Sequence, residues 1–287
     1  MPITIKQGFE GLKRNLEITT LQSSTVSTRQ QNVRDAVAKE MAAIDDFLVG
    51  SYKRNTMIAP LAEADIDIFT VLDSKYYEMN GHVNLLDRVK RVLKNTYETP
   101  DISRNGQAVT IRFSDFRVDV VPAFNRSGGG YLIPDAILKR WISTDPTKHI
   151  SIWTAANITH KGDLVPLIKM IKGWNKKHSS LLQSFHLESL ILNLLNNITI
   201  SDFPSGIRYF FDKARVQVLY PTLDPAGYGG NIGAYLDTPS KKADVVTRLE
   251  SAYQRAVEAE GLEKIGKTYD AYAKWKMIFG EYFPSYG

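Results

Sequence analysis

The sequence predicts an α+β protein, with strands and helices in the first half and a helical lobe after it. Three observations carry this. Asp65 to Leu72 alternates apolar and polar residues with the period of a strand, and so do Val109-x-Ile111-x-Phe113 and the run from Phe116 to Val121. From residue 164 onward, apolar residues recur at helical spacing in one segment after another. Between Ser143 and Lys161 the strand signals stop. The boundary is therefore placed near residue 150, giving domains 1–150 and 151–287, the first with an N-terminal spine helix.

In chain order, residues 5–20 suggest a short helix with Phe9, Leu12 and Leu16 on one side. Gln22-Ser23-Ser24-Thr25 reads as a polar break. Ser27-Thr28-Arg29-Gln30 reads as a capping box opening a helix with Val33, Val37, Met41 and Ile44 on its apolar face, either a spine or an amphipathic surface helix. Phe47-Leu48-Val49 is strand-like and runs into Gly50-Ser51. Residues 84–96 are helical by pattern, and Pro100 lies beyond their end. Val109 to Phe113 and Phe116 to Val121 form a hairpin about Ser114-Asp115. Tyr131 to Ile133 is expected to lead through Pro134 into a helix with Ile137, Leu138, Trp141 and Ile142. Asp163 is the expected cap of a helix over 164–177, and Ser184 of the next. Further helices follow around Ile207 to Ala214, over 240–258 and over 262–280. The aromatics of the last two (Tyr253, Tyr272, Trp275, Phe279) read as core.

The 287 residues are 43% hydrophobic and 23% charged, ordinary for a globular protein. No window is apolar enough for a membrane helix, and the N-terminus lacks the apolar core of a secretory signal. The absence of cysteine excludes disulfides and thiolate metal sites and suits a reducing cytoplasm, the expected location. A net charge of +5 favours anionic partners slightly, but the basic residues are dispersed rather than gathered in a polybasic arm.

The candidate chemistry lies between Phe47 and Leu72. Side chains two apart on a strand share a face, so Asp65 and Asp67 project together while Ile66 and Ile68 point into a core. Adjacent carboxylates repel unless a cation sits between them, and oxygen-only ligands suit a hard cation such as Mg²⁺. Gly50-Ser51 lets the backbone approach a ligand, and N–H groups at such a turn can hold phosphate. The plainer alternatives are an ordinary turn and a solvated strand edge. Asp119, in Phe-Arg-Val-Asp-Val-Val, is a lone acid in an apolar strand, where burial without a partner is costly. It faces a cation, pairs with Arg117 or sits at an exposed edge. Lys169, Lys172 and Lys176 form a stripe on their helix, a solvated face unless it meets a ligand. The five histidines have no metal or triad spacing and read as incidental.

Gly50-Ser51, the gap to Asp65-Ile66-Asp67 and the later Val118-Asp119-Val120 resemble the signature of the polymerase-β-like nucleotidyltransferases. Arg29 to Asp35, the Gly-Ser-Tyr-Lys-Arg-Asn-Thr loop, Ile171-Lys172-Gly173-Trp174-Asn175, Ser184-Phe185-His186-Leu187-Glu188 and Leu223-Asp224-Pro225 narrow this. They resemble the bacterial cGAS/DncV-like nucleotidyltransferases, relatives of oligoadenylate synthetase that make cyclic oligonucleotide signals in anti-phage defence. The resemblance covers about residues 20–280. It implies a polymerase-β-like core, an oligoadenylate-synthetase-like helical lobe and an active site in the cleft between them. Asp65, Asp67 and Asp119 would hold two Mg²⁺ ions, with Mn²⁺ as a substitute. Gly50 and Ser51 would contact the donor's β- and γ-phosphates, Lys172 and Ser184 would grip the triphosphate, and Asp224 and Asn231 would belong to the loop near the nucleobase. The implied activity joins ATP, and possibly GTP, CTP or UTP, into a cyclic di- or trinucleotide acting on a separate effector. The animal DNA sensor of the group has a zinc-binding insertion with cysteine ligands. This chain has no cysteine, so no obligatory DNA or RNA activator is implied. A monomer is expected. Two alternatives stay open: nucleotide transfer to a protein, tRNA or small molecule, and a catalytically silent nucleotide sensor.

Overall fold

The computed structural model describes residues 4–98 and 101–287, and these divide into two compact units. One unit runs from Ile18 to Ser151. The other joins the segment ending at Glu17 to Ile152–Gly287. The division after Ser151 falls beside the expected boundary, but the first helix belongs to the helical unit instead of the residue 1–150 domain.

The Ile18–Ser151 unit is a seven-stranded sheet with two long helices. Helix α2 (Thr20–Glu40) begins earlier than the Ser27 box implies. Thr19 caps it, its hydroxyl accepting from Gln22 N–H while the Gln22 side chain accepts from Thr19 N–H. The expected polar break lies inside the helix, where the Thr25 hydroxyl donates to the carbonyl four residues back, as does that of Thr28 further on. The helix ends at Glu40, so Ile44 is not on its apolar face. Ile44 is an exposed residue of β1 (Ala43–Leu48).

After the single turn α3 (Gly50–Lys53) come β2 (Asp65–Leu72), α4 (His82–Thr96), β3 (Asp101–Asn105), β4 (Ala108–Arg112) and β5 (Arg117–Asn125). Pro100, expected beyond the end of α4, lies outside the described residues. The main order is β1-β2-β5-β4-β3, with β2 and β5 parallel and the other pairs antiparallel. Ile66 and Ile68 of β2 and Val118 and Val120 of β5 are fully buried, in one cluster with Val33 and Val37 of α2 and Leu86 and Val89 of α4. Burying each such side chain is worth about 1.5–3 kcal/mol, so the alternating pattern fixes which face of the sheet receives the helices.

Residues 134–142 are not a helix. They complete β6 (Tyr131–Asp135) and β7 (Arg140–Thr144), a hairpin attached to the end of β5. Asp135 Oδ1 accepts from the N–H groups of Ile137 and Leu138, and Lys139 takes a left-handed φ of 51°, which turns the chain. The apolar residues that suggest a helical stripe are in part the exposed hairpin tip, Ile137 and Leu138.

The second unit holds α1 (Ile5–Asn15), most of α5 (Pro146–Thr159), α6 (Leu164–Lys177), α7 (Ser184–Leu195), α8 (Phe203–Gln217), α9 (Pro239–Lys264) and α10 (Thr268–Phe279). Phe9 of α1 packs edge-on against Trp275, with ring centroids 4.9 Å apart, and also meets Phe279 and Phe283. This aromatic nest draws α1 into the helical unit. Tyr272, Trp275 and Phe279 are buried, as their core reading requires. Neither Asp163 nor Ser184 caps a helix through its side chain. Asp163 stands at the cap position without a side-chain bond, and Ser184 is already the first residue of α7.

Two buried polar systems fix this unit. Lys172 Nζ lies 2.8 Å from Glu188 Oε1, joining α6 to α7, with Glu188 fully buried. Lys169 is also buried and pairs with Glu17 at 2.6 Å. The lysine stripe is therefore not a solvated face at these two positions. His186, buried on α7, is a tether and not incidental. Gln183 N–H donates to the Tyr235 hydroxyl, and the His186 ring bridges that hydroxyl, through Nδ1, to Thr222 Oγ1, through Nε2, at 2.9, 2.9 and 3.1 Å. Burial holds Tyr235 up to about 12 and His186 down to about 4, so both are neutral near pH 7. Among the described residues, no helix is long and apolar enough to cross a membrane.

Lys172→Met, which removes one partner of the buried pair, is expected to lower unfolding free energy by about 3–5 kcal/mol. Adding Glu188→Leu should restore much of it. Urea denaturation measures both, and a loss below about 1 kcal/mol for the single variant would contradict the account. His186 binds a proton less readily folded, at about 4, than at its ordinary 6.5. Stability should therefore fall as pH drops from 6.5 toward 4, by up to about 3 kcal/mol from this group. His186→Gln should reduce that slope in thermal melts taken across the range, and His178, also held down to about 4 chiefly by burial, should keep part of it.

Candidate active site

The site in the Ile18–Ser151 unit follows from register. Parallel pairing of β2 with β5 sets Asp65 opposite Arg117 and Asp67 opposite Asp119. Asp65, Asp67 and Asp119 thus stand on adjacent strands, on the face opposite the buried isoleucines and valines, and all three are half-buried.

Gly50 closes one side. Its φ is +66°, and a Cβ built on it would lie 1.8 Å from Asp67 Oδ2. Any side chain there would collide with the carboxylate, so glycine is required by conformation and by space. Val49 N–H donates to Asp67 O at 2.9 Å, tying the turn to the strand. Ser51 follows, half-buried, and its carbonyl accepts from Thr56 and Met57 N–H.

Arg117 pairs with Asp65, not with Asp119, its Nε lying 2.6 Å from Asp65 Oδ1. That oxygen is shielded from solvent and accepts no aligned hydrogen bond, so the contact is an ion pair alone. Asp119 takes a hydrogen bond from the Thr110 hydroxyl. Burial raises the Asp119 carboxyl above the ordinary carboxylate range. The Thr110 bond opposes this, the Asp65 charge adds to it, and Arg117 and Arg112 pull it back. Among the described residues no three such side chains close into a metal cluster as they stand. The donors nevertheless fit a hard divalent cation, being all oxygen, with one held by an ion pair alone and one destabilised in its charged form.

The other expected ligand-binding residues belong to the helical unit. Lys172 is committed to Glu188, while Ser184 is exposed at the start of α7. Asp224 and Asn231 share a loop and organise it. Asp224 accepts from the N–H groups of Ala226, Tyr228 and Gly229, and Asn231 Oδ1 accepts from those of Thr222 and Gly233. These oxygens shape backbone, which makes both residues organisers of the loop.

Thr110 escapes the sequence reading, although a signal for it exists. The Ser114-Asp115 turn sets Phe113 opposite Phe116, and Phe113 N–H donates to Phe116 O. Counting three residues away from the turn on each strand brings Thr110 opposite Asp119, as the register has it.

Residues 3–157 match the Second Messenger Oligonucleotide or Dinucleotide Synthetase domain. The chain is 28% identical to the Cyclic AMP-AMP-AMP synthase of Acinetobacter sp. (strain ATCC 27244 / 9458), over 98% of this chain and 86% of that protein. Its fold is similar to that of E. coli MS115-1 CdnC in the CdnC:HORMA-deltaN complex, with a TM-score of 0.77, 16% identity and 98% of each chain covered. It is also similar to the apo form of Vibrio cholerae DncV, with a TM-score of 0.67, 17% identity, and 84% of this chain and 69% of that one covered. With the domain match spanning more than half of its length, the chain belongs to the Second Messenger Oligonucleotide or Dinucleotide Synthetase family, nucleotidyltransferases that condense nucleoside triphosphates into cyclic messengers.

Proposed function

We propose that this nucleotidyltransferase uses two Mg²⁺ ions, with Mn²⁺ as a substitute, to join ATP, alone or with GTP, CTP or UTP, into a cyclic di- or trinucleotide for anti-phage defence. The observation that carries the reading is the register that places Asp67 beside Asp119 with Gly50 packed on Asp67. The name of the Acinetobacter relative makes ATP the donor to test first.

Metal ions at such a site acidify the attacking hydroxyl and stabilise the departing pyrophosphate. Asp65, Asp67 and Asp119 would hold them, with Asp65 released from Arg117 and Asp119 still bonded by Thr110. Gly50 gives the β- and γ-phosphates close access to backbone, and Ser51 adds a hydroxyl donor. Lys172 and Ser184 serve the triphosphate from the helical unit, with Glu188 holding Lys172 in place. Asp224 and Asn231 fix the loop that meets the nucleobase. The enzyme works as a cytoplasmic monomer without an obligatory nucleic-acid activator, and its product acts on a separate effector.

The test is incubation with labelled ATP, GTP, CTP and UTP, singly and in pairs, with Mg²⁺ or Mn²⁺ and then phosphatase. A phosphatase-resistant product that the Asp65→Ala/Asp67→Ala variant does not make is expected. Gly50→Ala should retain the fold by circular dichroism yet lose about 100-fold in rate, the scale of a 1 Å misplacement. Consumption of no triphosphate in any mixture, or label transferred to protein or tRNA instead, would overturn the reading.

A further inference from the structure

We propose that Thr110 is a positioning residue for the metal-binding carboxylate of Asp119. The inference rests on the reading of Asp65, Asp67 and Asp119 as metal ligands.

Thr110 lies in Ala-Val-Thr-Ile-Arg, between Val109 and Ile111, both fully buried in the core beneath the sheet. It is itself only 5% exposed, and antiparallel pairing places it directly across from Asp119. Its Oγ1 donates to Asp119 Oδ1. Valine would suit the strand and the packing equally well. A hydroxyl at this buried position is expensive unless bonded, and the bond it makes is to a carboxylate of the triad.

Three consequences follow from the geometry. One donor on Oδ1 restrains the plane of the carboxylate and leaves Oδ2 for a cation. A neutral donor offsets part of the repulsion from Asp65 without bringing a positive charge that would compete with metal. And because Thr110 sits on β4, it anchors Asp119 from the side of the sheet away from β2, which carries the other two acids. Such outer partners hold metal ligands in orientation, and their loss commonly costs about 10- to 100-fold in metal affinity.

The test is Mn²⁺ titration of the full chain, read by electron paramagnetic resonance, for wild type, Thr110→Val, Thr110→Ser and Asp119→Asn, with melting curves for each. Thr110→Val is expected to weaken Mn²⁺ binding at least about tenfold with little change in melting temperature, and Thr110→Ser to bind nearly as wild type. Equal Mn²⁺ affinity in wild type and Thr110→Val would overturn the proposal while leaving the metal site standing. Equal loss in the serine and valine variants would also overturn it, since the hydroxyl would then not be what matters. If wild type and Asp119→Asn bind Mn²⁺ alike, the metal reading fails and the proposal with it.

Discussion

Carboxylates set side by side on adjacent strands repel one another, and this repulsion is the constraint around which the first unit is arranged. Parallel pairing of β2 with β5 imposes it by placing Asp67 opposite Asp119. The isoleucines and valines of the opposite face hold the strands in that register, because a shift of one residue would expose the core. The fold is thus made to carry a local excess of negative charge. Arg117 relieves Asp65 and Thr110 relieves Asp119, each from within the sheet itself. Gly50 completes the arrangement through the side chain it lacks, since the Asp67 carboxylate occupies the space where a Cβ would stand.

The helical unit handles charge in the opposite way. Lys172 meets a fully buried glutamate, and His186 and Tyr235 are neutral members of a closed chain of hydrogen bonds. Such satisfied networks specify one arrangement of α6, α7 and the loop after Thr222, because any other would leave buried polar groups without partners. The loop is fixed in addition by Asp224 and Asn231, whose side-chain oxygens each gather several backbone N–H groups. A ligand meeting this unit would meet a prepared surface, with little ordering left to do on binding.

Much of this was legible in the sequence. The alternation of β2 and β5 was unambiguous because both strands bury one face completely, and the three aspartates stood out as acids on apolar strands. Those residues carried the resemblance to polymerase-β-like nucleotidyltransferases; the narrower resemblance to cyclic-oligonucleotide synthases rested on flanking motifs such as Ile171 to Asn175 and Ser184 to Glu188, and it agrees with the family match. What escaped was set by long-range contacts or by local hydrogen bonds. The β6–β7 hairpin read as a helix because its exposed tip is apolar and its turn depends on Asp135 bonding its own backbone. The start of α2 was hidden by a polar run of serines and threonines, of which Thr25 and Thr28 bond to carbonyls of the preceding turn. Assignment of α1 to the helical unit depends on Phe9 finding Trp275 from the far end of the chain. The lysine stripe on α6 read as solvated because the partners of Lys169 and Lys172, Glu17 and Glu188, lie on other segments.

The most direct test of the account is a crystal structure of the protein soaked with Mn²⁺ and a non-hydrolysable ATP analogue, with the metal located by anomalous scattering. The account predicts two peaks about 3.5–4 Å apart, bounded by Asp65, Asp67 and Asp119, with Asp65 turned away from Arg117 and Thr110 still bonded to Asp119. Metal found elsewhere, with Asp65 still paired to Arg117, would contradict it.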